Sequence, residues 1–352
     1  MTENPPDVSL TVFAGVDTHK DTHHAAIIDH LGRGIGDREF PATAAGYRAL
    51  LAWVRGAGVV ARIGVEGTGS YGSALTAVLQ EAGIEVVDVD RTDRQSRRFH
   101  GKSDSLDAYS AARLAAAGIA RTVPKAHDGD VEAIRFLHNA RRTAVKSRAE
   151  AITALKSAVV NAPEPIREQL RDLSTKALVE ACAGLRPGVV EPGALAAAVK
   201  TALRSLARRI RMLDHEIAAL EADLHPLVDD AAADLIARFG VGYETAAQLL
   251  ITVGDNPDRI SNEAAFASLC GVAPIPASSG KTTRHRLNRG GNRQANRALH
   301  IIVLARLKRD PRTRAYRDKR LAQGKSKRDI IRCLKRAVAR EMFQLLTQKI
   351  RS

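Results

Sequence analysis

Two short apolar runs near the start of this 352-residue chain, each closed by an acid, limit the folds open to it more than any other feature. Asp17 ends the run 11–16 in Val-Asp-Thr-His-Lys, and Glu66 ends the run 61–65 in Val-Glu-Gly-Thr-Gly. Both runs are short, contain β-branched residues and have Gly nearby, which reads as buried strands. A carboxylate leaving a buried strand costs desolvation unless something compensates it. Two further acids, Asp104 and Asp107, stand three apart in Lys-Ser-Asp-Ser-Leu-Asp at an expected helix start. In an α/β fold, two strand ends and a helix start can converge. Carboxylates gathered in that way suit hard divalent cations, and two such cations side by side form a phosphodiester-cleaving device. The alternative for Asp104 and Asp107 is helix capping, which satisfies free N–H groups and the helix dipole.

Strand and helix patterns alternate from about residue 10 to residue 123. Stretches 12–16, 25–29 and, more weakly, 35–40 form a meander. A helix over 44–55, a strand over 61–65, a helix over 71–82 and a strand over 85–89 follow. Mixed strands followed by βαβ units give an α/β layer, in an order that fits an RNase H-like sheet.

From about residue 130 to residue 228 the pattern changes to long helices. Leu203, Leu206, Ile210, Leu213, Ile217, Leu220, Leu224 and Leu227 keep a strict 3-4 alternation with charged flanks. So narrow a seam predicts a coiled coil that joins subunits, with an intramolecular helical hairpin as the alternative. Pro226 marks the expected end of that helix. Val131, Ile134, Leu137, Val145, Ile152, Leu155 and Val159 mark an earlier helix of similar kind. A third region begins near Asp229, where Phe239-Gly-Val-Gly-Tyr reads as a helix-hairpin-helix turn able to hold a phosphate on its N–H groups.

Charge separates the ends of the chain. The formal net charge is +15, yet from Gly280 onward there are 23 Lys and Arg against 4 Asp and Glu. A basic tail beside an acidic head predicts a polyanionic partner, the alternative being a merely solvated or ribosome-like tail. Cys182, Cys270 and Cys333 are widely spaced, which argues against structural zinc and disulfides and for a reducing cytoplasm. With no signal-peptide pattern and no bilayer-length apolar run, a soluble intracellular protein without a membrane partner is expected.

The stretch from Cys270 to Arg293 carries Ser278 and Ser279 before Gly280, and then Arg284, Arg286, Arg289 and Arg293 among Gly and Asn. Gly-Lys-Thr-Thr is no phosphate-binding P-loop, because the upstream glycine and strand are missing. The four arginines are expected to grip a nucleic-acid backbone.

Taken in order, Val-Asp-x-x-Lys, Val-Glu-Gly-Thr-Gly-x-Tyr, Lys-Ser-Asp-x-x-Asp-Ala, a helical linker, Ala-x-Leu-x-Gly-x-x-Pro, Ser-Gly and Gly-Asn resemble the insertion-sequence 110 family. These are Asp-Glu-Asp-Asp (DEDD) transposases related to Piv invertases. The resemblance implies a RuvC-like catalytic domain over 1–125, in which Asp17, Glu66, Asp104 and Asp107 hold Mg²⁺, two ions per site with Mn²⁺ able to substitute. It further implies a helical coiled-coil region over 126–228 for oligomerisation, and a mostly helical transposase domain over 229–352. In that last domain Ser279, the serine directly before the glycine, attacks the DNA phosphate. The implied partners are donor and target DNA, a bridge RNA and further copies of the chain as a dimer or tetramer. The implied place of action is the bacterial cytoplasm and nucleoid. Two rivals stand beside this reading: a metal-dependent nuclease that uses water, and a non-catalytic nucleic-acid-binding protein.

Overall fold

The computed structural model describes residues 11–89, 103–278 and 285–348, so Ser279 and Arg284 lie outside the described residues. The described residues up to Gly129, together with Val253–Ser261, form one compact unit; Asp130–Thr252 and the residues from Asn262 onward form a second.

The first unit is built on a five-stranded sheet of β1 (Thr11–Thr18), β2 (Thr22–Asp29), β3 (Gly34–Pro41), β4 (Val59–Glu66) and β5 (Val86–Val89). Its order is β3-β2-β1-β4-β5. The meander β1–β2–β3 is antiparallel, whereas β4 runs parallel to β1 and β5 parallel to β4. Period-2 alternation gives the sheet two different faces. One face presents Val12, Ala14, Val16, Ile63 and Val65 to Leu50, Val54, Leu75 and Leu79 of helices α1 (Ala44–Gly56) and α2 (Ser73–Glu81). Thr43 caps α1 by accepting a hydrogen bond from Gly46 N. The opposite face carries α3 (Asp104–Ala116), whose Ala108, Ala111, Ala112 and Ala115 are all buried.

Gly15 and Gly64 set how close α3 can come. They stand opposite each other in the β1/β4 register. A methyl group on Gly15 would lie 2.1 Å from Ala112 N, and one on Gly64 would lie 2.7 Å from Ala111 O. Helix backbone therefore rests directly on strand backbone, and alanine is the largest side chain the contact admits.

Segment 253–261 completes this unit from far along the chain. Asn256 accepts a hydrogen bond from Ala126 N and donates one to Pro124 O, both at 2.9 Å. Arg259 donates to Val253 O at 2.8 Å and to Val123 O at 3.3 Å.

The second unit is mainly helical: α4 (Asp130–Val160), α5 (Glu164–Leu170), α6 (Thr175–Ala183), α7 (Leu195–Ile236), α8 (Tyr243–Val253), α9 (Glu263–Leu269), α10 (Arg293–Arg309), α11 (Pro311–Ala322) and α12 (Lys327–Gln348). A two-stranded ribbon, β6 (Ile275–Pro276) with β7 (His285–Arg286), interrupts them. Helices α4 and α7 pack antiparallel along their length. Arg141 pairs with Glu221 at 2.7 Å, and seven residues along each helix Arg148 pairs with Asp214.

The heptad seam therefore works inside the chain. Leu203, Ala207 and Ile210 pack with Ala151, Leu155 and Val159 of α4 and with Leu178 and Val179 of α6. Leu203, Ile210, Leu213 and Leu224 are buried, while Leu206, Ile217, Leu220 and Leu227 are half-buried. A seam expected to join subunits is thus largely occupied by the chain's own α4, because an antiparallel partner of matching period lies next to it. Val145, assigned to the α4 seam by its spacing, is exposed.

The expected helix end at Pro226 is also corrected. The helix runs past Pro226 and breaks at Ala232, where φ is −154° and ψ is 50°. Proline costs about 3 kcal/mol inside a helix. Burial of Leu224 and Val228 on either side of it offsets that cost. The Phe239–Tyr243 stretch is a turn between α7 and α8, with Gly240 at a φ of 86°. Arg306 of α10 closes it by donating to Phe239 O at 2.9 Å and pairing with Glu341 of α12 at 2.6 Å.

Candidate metal centre and basic face

Asp17 and Glu66 leave the sheet side by side. Val16 stands opposite Val65 in the parallel β1/β4 register, so the next residue on each strand is one of the two acids. Side chains two apart share a face, which puts Asp17 on the side of Gly15 and Glu66 on the side of Gly64. Both acids therefore point to the face that α3 covers. Thr18 ties the strand ends together, its hydroxyl donating to Glu66 O at 2.7 Å. Beyond Glu66, Gly67 turns with a φ of 75°, and its carbonyl accepts from Ser70 N and Gly72 N.

The first turn of α3 brings Asp104 and Asp107 to the same edge. The cap is Ser103, whose hydroxyl accepts from Leu106 N at 3.2 Å. Ser103, and not Asp104, thus takes the capping role, which weakens the bland explanation for that acid. Asp17 and Asp107 are buried, and Glu66 and Asp104 are half-buried.

A residue that the spacing argument did not single out sits among them. His19 Nε2 lies 3.3 Å from Asp17 Oδ2 and 3.3 Å from Asp104 Oδ1. One ligand atom from each of Asp17, His19 and Asp104 lies within 4.8 Å of the others. Two carboxylates and an imidazole at that spacing form a donor set compatible with a divalent metal. Its signal was present in Asp-Thr-His: residues i and i+2 at a strand end share a face. Glu66 and Asp107 stand at the same edge outside this compact trio.

A polar network braces α3 from the other side. His24 stands opposite Asp17 in the β1/β2 register, and its Nε2 meets Asp37 Oδ1 at 2.9 Å. The Ser105 hydroxyl, next to Asp104, donates to Asp37 Oδ2 at 3.0 Å. The hydrogen bond from His24, with help from Ser105, holds the Asp37 carboxyl below its usual range. A charged Asp37 thus anchors the start of α3 to β2 and β3.

In the second unit, Asn292 caps α10 by accepting from Gln294 N and Ala295 N. Arg286, Arg289 and Arg293 are exposed on and around this start. They belong to one stretch of chain and are available to an anionic partner.

The comparisons with known proteins agree with these two stretches. Residues 14–162 match the DEDD transposase family of the IS110 type. Residues 234–318 match the transposase IS116/IS110/IS902 family. The chain belongs to the IS110 transposase family. A 145-residue stretch is 35% identical to the insertion element IS110 uncharacterized 43.6 kDa protein of Streptomyces coelicolor, covering 40% of this chain and 36% of that protein. A 164-residue stretch is 24% identical to the insertion element IS900 uncharacterized 42 kDa protein of Mycobacterium paratuberculosis, covering 45% of this chain and 40% of that protein. The aligned parts thus span well under half the length of these two relatives. No described helix is long and apolar enough to cross a membrane.

Proposed function

We propose that this chain is a DNA transposase of an insertion element, with an RNase H-like, specifically RuvC-like, catalytic unit that cleaves, exchanges and rejoins strands. The observation that carries this reading is the meeting of Asp17 and Asp104 with His19 at the sheet edge where Glu66 and Asp107 also stand, in a chain of a transposase family. The strand order β3-β2-β1-β4-β5 supports the RNase H-like assignment.

Asp17, Glu66, Asp104 and Asp107 would hold Mg²⁺, with Mn²⁺ as a substitute and His19 as a neighbouring donor. Divalent cations bound there supply charge that polarises the scissile phosphate and stabilises the leaving oxygen. Gly15 and Gly64 keep α3, and with it two of the four acids, close against the strands that carry the others. Arg284, Arg286, Arg289 and Arg293 neutralise the phosphates of the bound strand.

Ser279 is the nucleophile. Its oxygen forms a bond to phosphorus, its proton passes to a nearby acceptor, and the bond from phosphorus to the departing sugar oxygen breaks. The phosphoserine link conserves the energy for rejoining. Donor and target DNA are selected with a bridge RNA in the bacterial cytoplasm, at the nucleoid. The active form is a homo-oligomer, a dimer or a tetramer, and the half-buried side of α7 with the exposed Met212 supports a further contact there.

The test is strand cleavage with Mg²⁺ by the wild type and by Asp17→Asn and Ser279→Ala. Both variants should fold and bind DNA yet lose cleavage. Mass spectrometry of a nuclease-digested wild-type reaction should find a nucleotide on the peptide containing Ser279. Cleavage retained by Asp17→Asn would sink the metal centre. Cleavage without an adduct would transfer the attack to water.

A further inference from the structure

One concave surface of the second unit shares only Arg286 with the residues named so far. A cleft of about 710 Å³ lies between the β6–β7 ribbon and the first half of α12. Asp329, Arg332, Cys333 and Arg336 line it at three- and four-residue spacing, so one face of α12 forms its wall. Lys325 joins them from before the helix and Arg286 from β7.

These cations differ in how they are compensated. Arg332 pairs with Asp329 at 3.0 Å, and Arg336 shares Glu263 with Arg340. Lys335 has no such partner among the described residues. It is only 8% exposed, and its ammonium donates to the neutral Asn296 Oδ1 at 2.8 Å. The amide nitrogen of Asn296 is already held by Cys270 O and Gly271 O, so that oxygen is fixed in place. Burying an ammonium against a neutral amide is costly, and an anion in the cleft would relieve the cost. Burial, with Arg332 nearby, pushes Lys335 below the usual lysine value, as expected of a cation that lacks its counter-charge.

The ribbon side of the cleft is mixed, with His285, Arg286 and Asn288 beside apolar side chains. Val272, Pro274 and Leu287 line it, and Leu287 is 43% exposed. Cations on α12 facing exposed apolar side chains on the ribbon side match a nucleotide, which offers a phosphate and a flat base. The volume falls in the range of small-ligand sites and leaves no room for a duplex.

We propose that this cleft binds a stretch of single-stranded nucleic acid, with a backbone phosphate over Lys335, Arg332 and Lys325 and a base against Leu287 and Pro274. The inference rests on the reading of the chain as a nucleic-acid-processing protein, but neither the metal centre nor Ser279 is needed for it.

Cys333 provides a reporter inside the cleft. It is exposed, whereas Cys182 and Cys270 are buried, with thiols pushed up by burial to about 11 and about 12. Alkylation of Cys333 by iodoacetamide would be followed in the full chain without divalent metal, so that no strand is cut. The probes are an oligothymidylate DNA, an oligouridylate RNA and a blunt DNA duplex. Single strands at ten times their dissociation constant should slow the reaction about tenfold by mass action. The stronger protector of the DNA and RNA arms names the source of the strand. Lys335→Met and Arg332→Gln should each weaken binding and flatten its salt dependence by about 0.7 for each phosphate that is no longer neutralised. Arg332→Gln keeps the test open if Lys335→Met fails to fold, and Arg314→Gln on α11 should leave protection unchanged. An oligonucleotide that binds by anisotropy while Cys333 reacts at its original rate would overturn the proposal, as would equal protection by the duplex. Protection is read without catalysis, so failure of the transposase reading through Asp17→Asn would be seen separately.

Discussion

The two units place charge in opposite ways. In the first, acids far apart in sequence are drawn to one sheet edge, and the device that draws them is small: two glycines and a row of alanines. In the second, cations crowd one stretch of sequence, and the structure separates them by task. Arg306 braces a turn and a neighbouring helix, whereas Arg286, Arg289 and Arg293 face solvent. Acids gather because close backbone packing brings them together. Cations that read alike in a sequence differ by what each one touches.

The largest expected effect comes from breaking the close packing. Gly15→Val would drive a side chain into the backbone of α3 and cost about 3 kcal/mol or more. Urea unfolding measures this, and a variant as stable as the wild type would mean that α3 can move away freely.

A smaller effect separates the arginines. Arg306→Ala removes a partner of Glu341 and the cap on Phe239 O, and after allowance for solvent screening it should cost about 2 kcal/mol. Arg289→Ala should change stability by less than about 0.5 kcal/mol. It should instead lower DNA affinity and flatten its salt slope by about 0.9. Thermal melts and salt-dependent binding of the two variants side by side would sharpen the contrast, or erase it if both lose the same property.

The smallest effect is a dependence on pH. Glu244 at the start of α8 lies 3.1 Å from the buried His138, with Arg141 also at hand. The hydrogen bond from His138, followed by these positive neighbours, holds its carboxyl below the ordinary value of 4.5. A depressed carboxyl pKa adds stability that is full above the unfolded value and is lost as pH falls through the folded one. Because Glu244 is half-exposed, the contribution should stay under about 1 kcal/mol. Melts from about pH 6 down to about pH 3 should fall slightly less for Glu244→Gln than for the wild type.

Local signals in the sequence carried much of the first unit. Runs of β-branched residues located β1, β2, β4 and β5, and the helix expected over 44–55 matches α1. The four acids could be singled out because two close apolar runs and two stand three apart at a helix start. Three things were hidden. Gly15 and Gly64 look like weak points inside strands, and their use emerges only when a helix from further along the chain lies on both of them. His19 reads as a turn residue until the helix bearing Asp104 is set beside it. The continuation past Pro226 goes with the burial of Leu224 and Val228, which outweighs a local rule. In the first two cases the deciding contact lies far off in sequence, where periodicity has no reach.

The segment 253–261 has a consequence for the order in which the chain can mature on the ribosome. The carbonyls of Val123 and Pro124 and the amide of Ala126 wait for Asn256 and Arg259, which are made more than a hundred residues later. At about 5–20 residues per second, the first unit spends roughly 6–25 s of synthesis with its last donors and acceptors still unmade. A messenger cut short before this point yields a first unit that lacks its clasp.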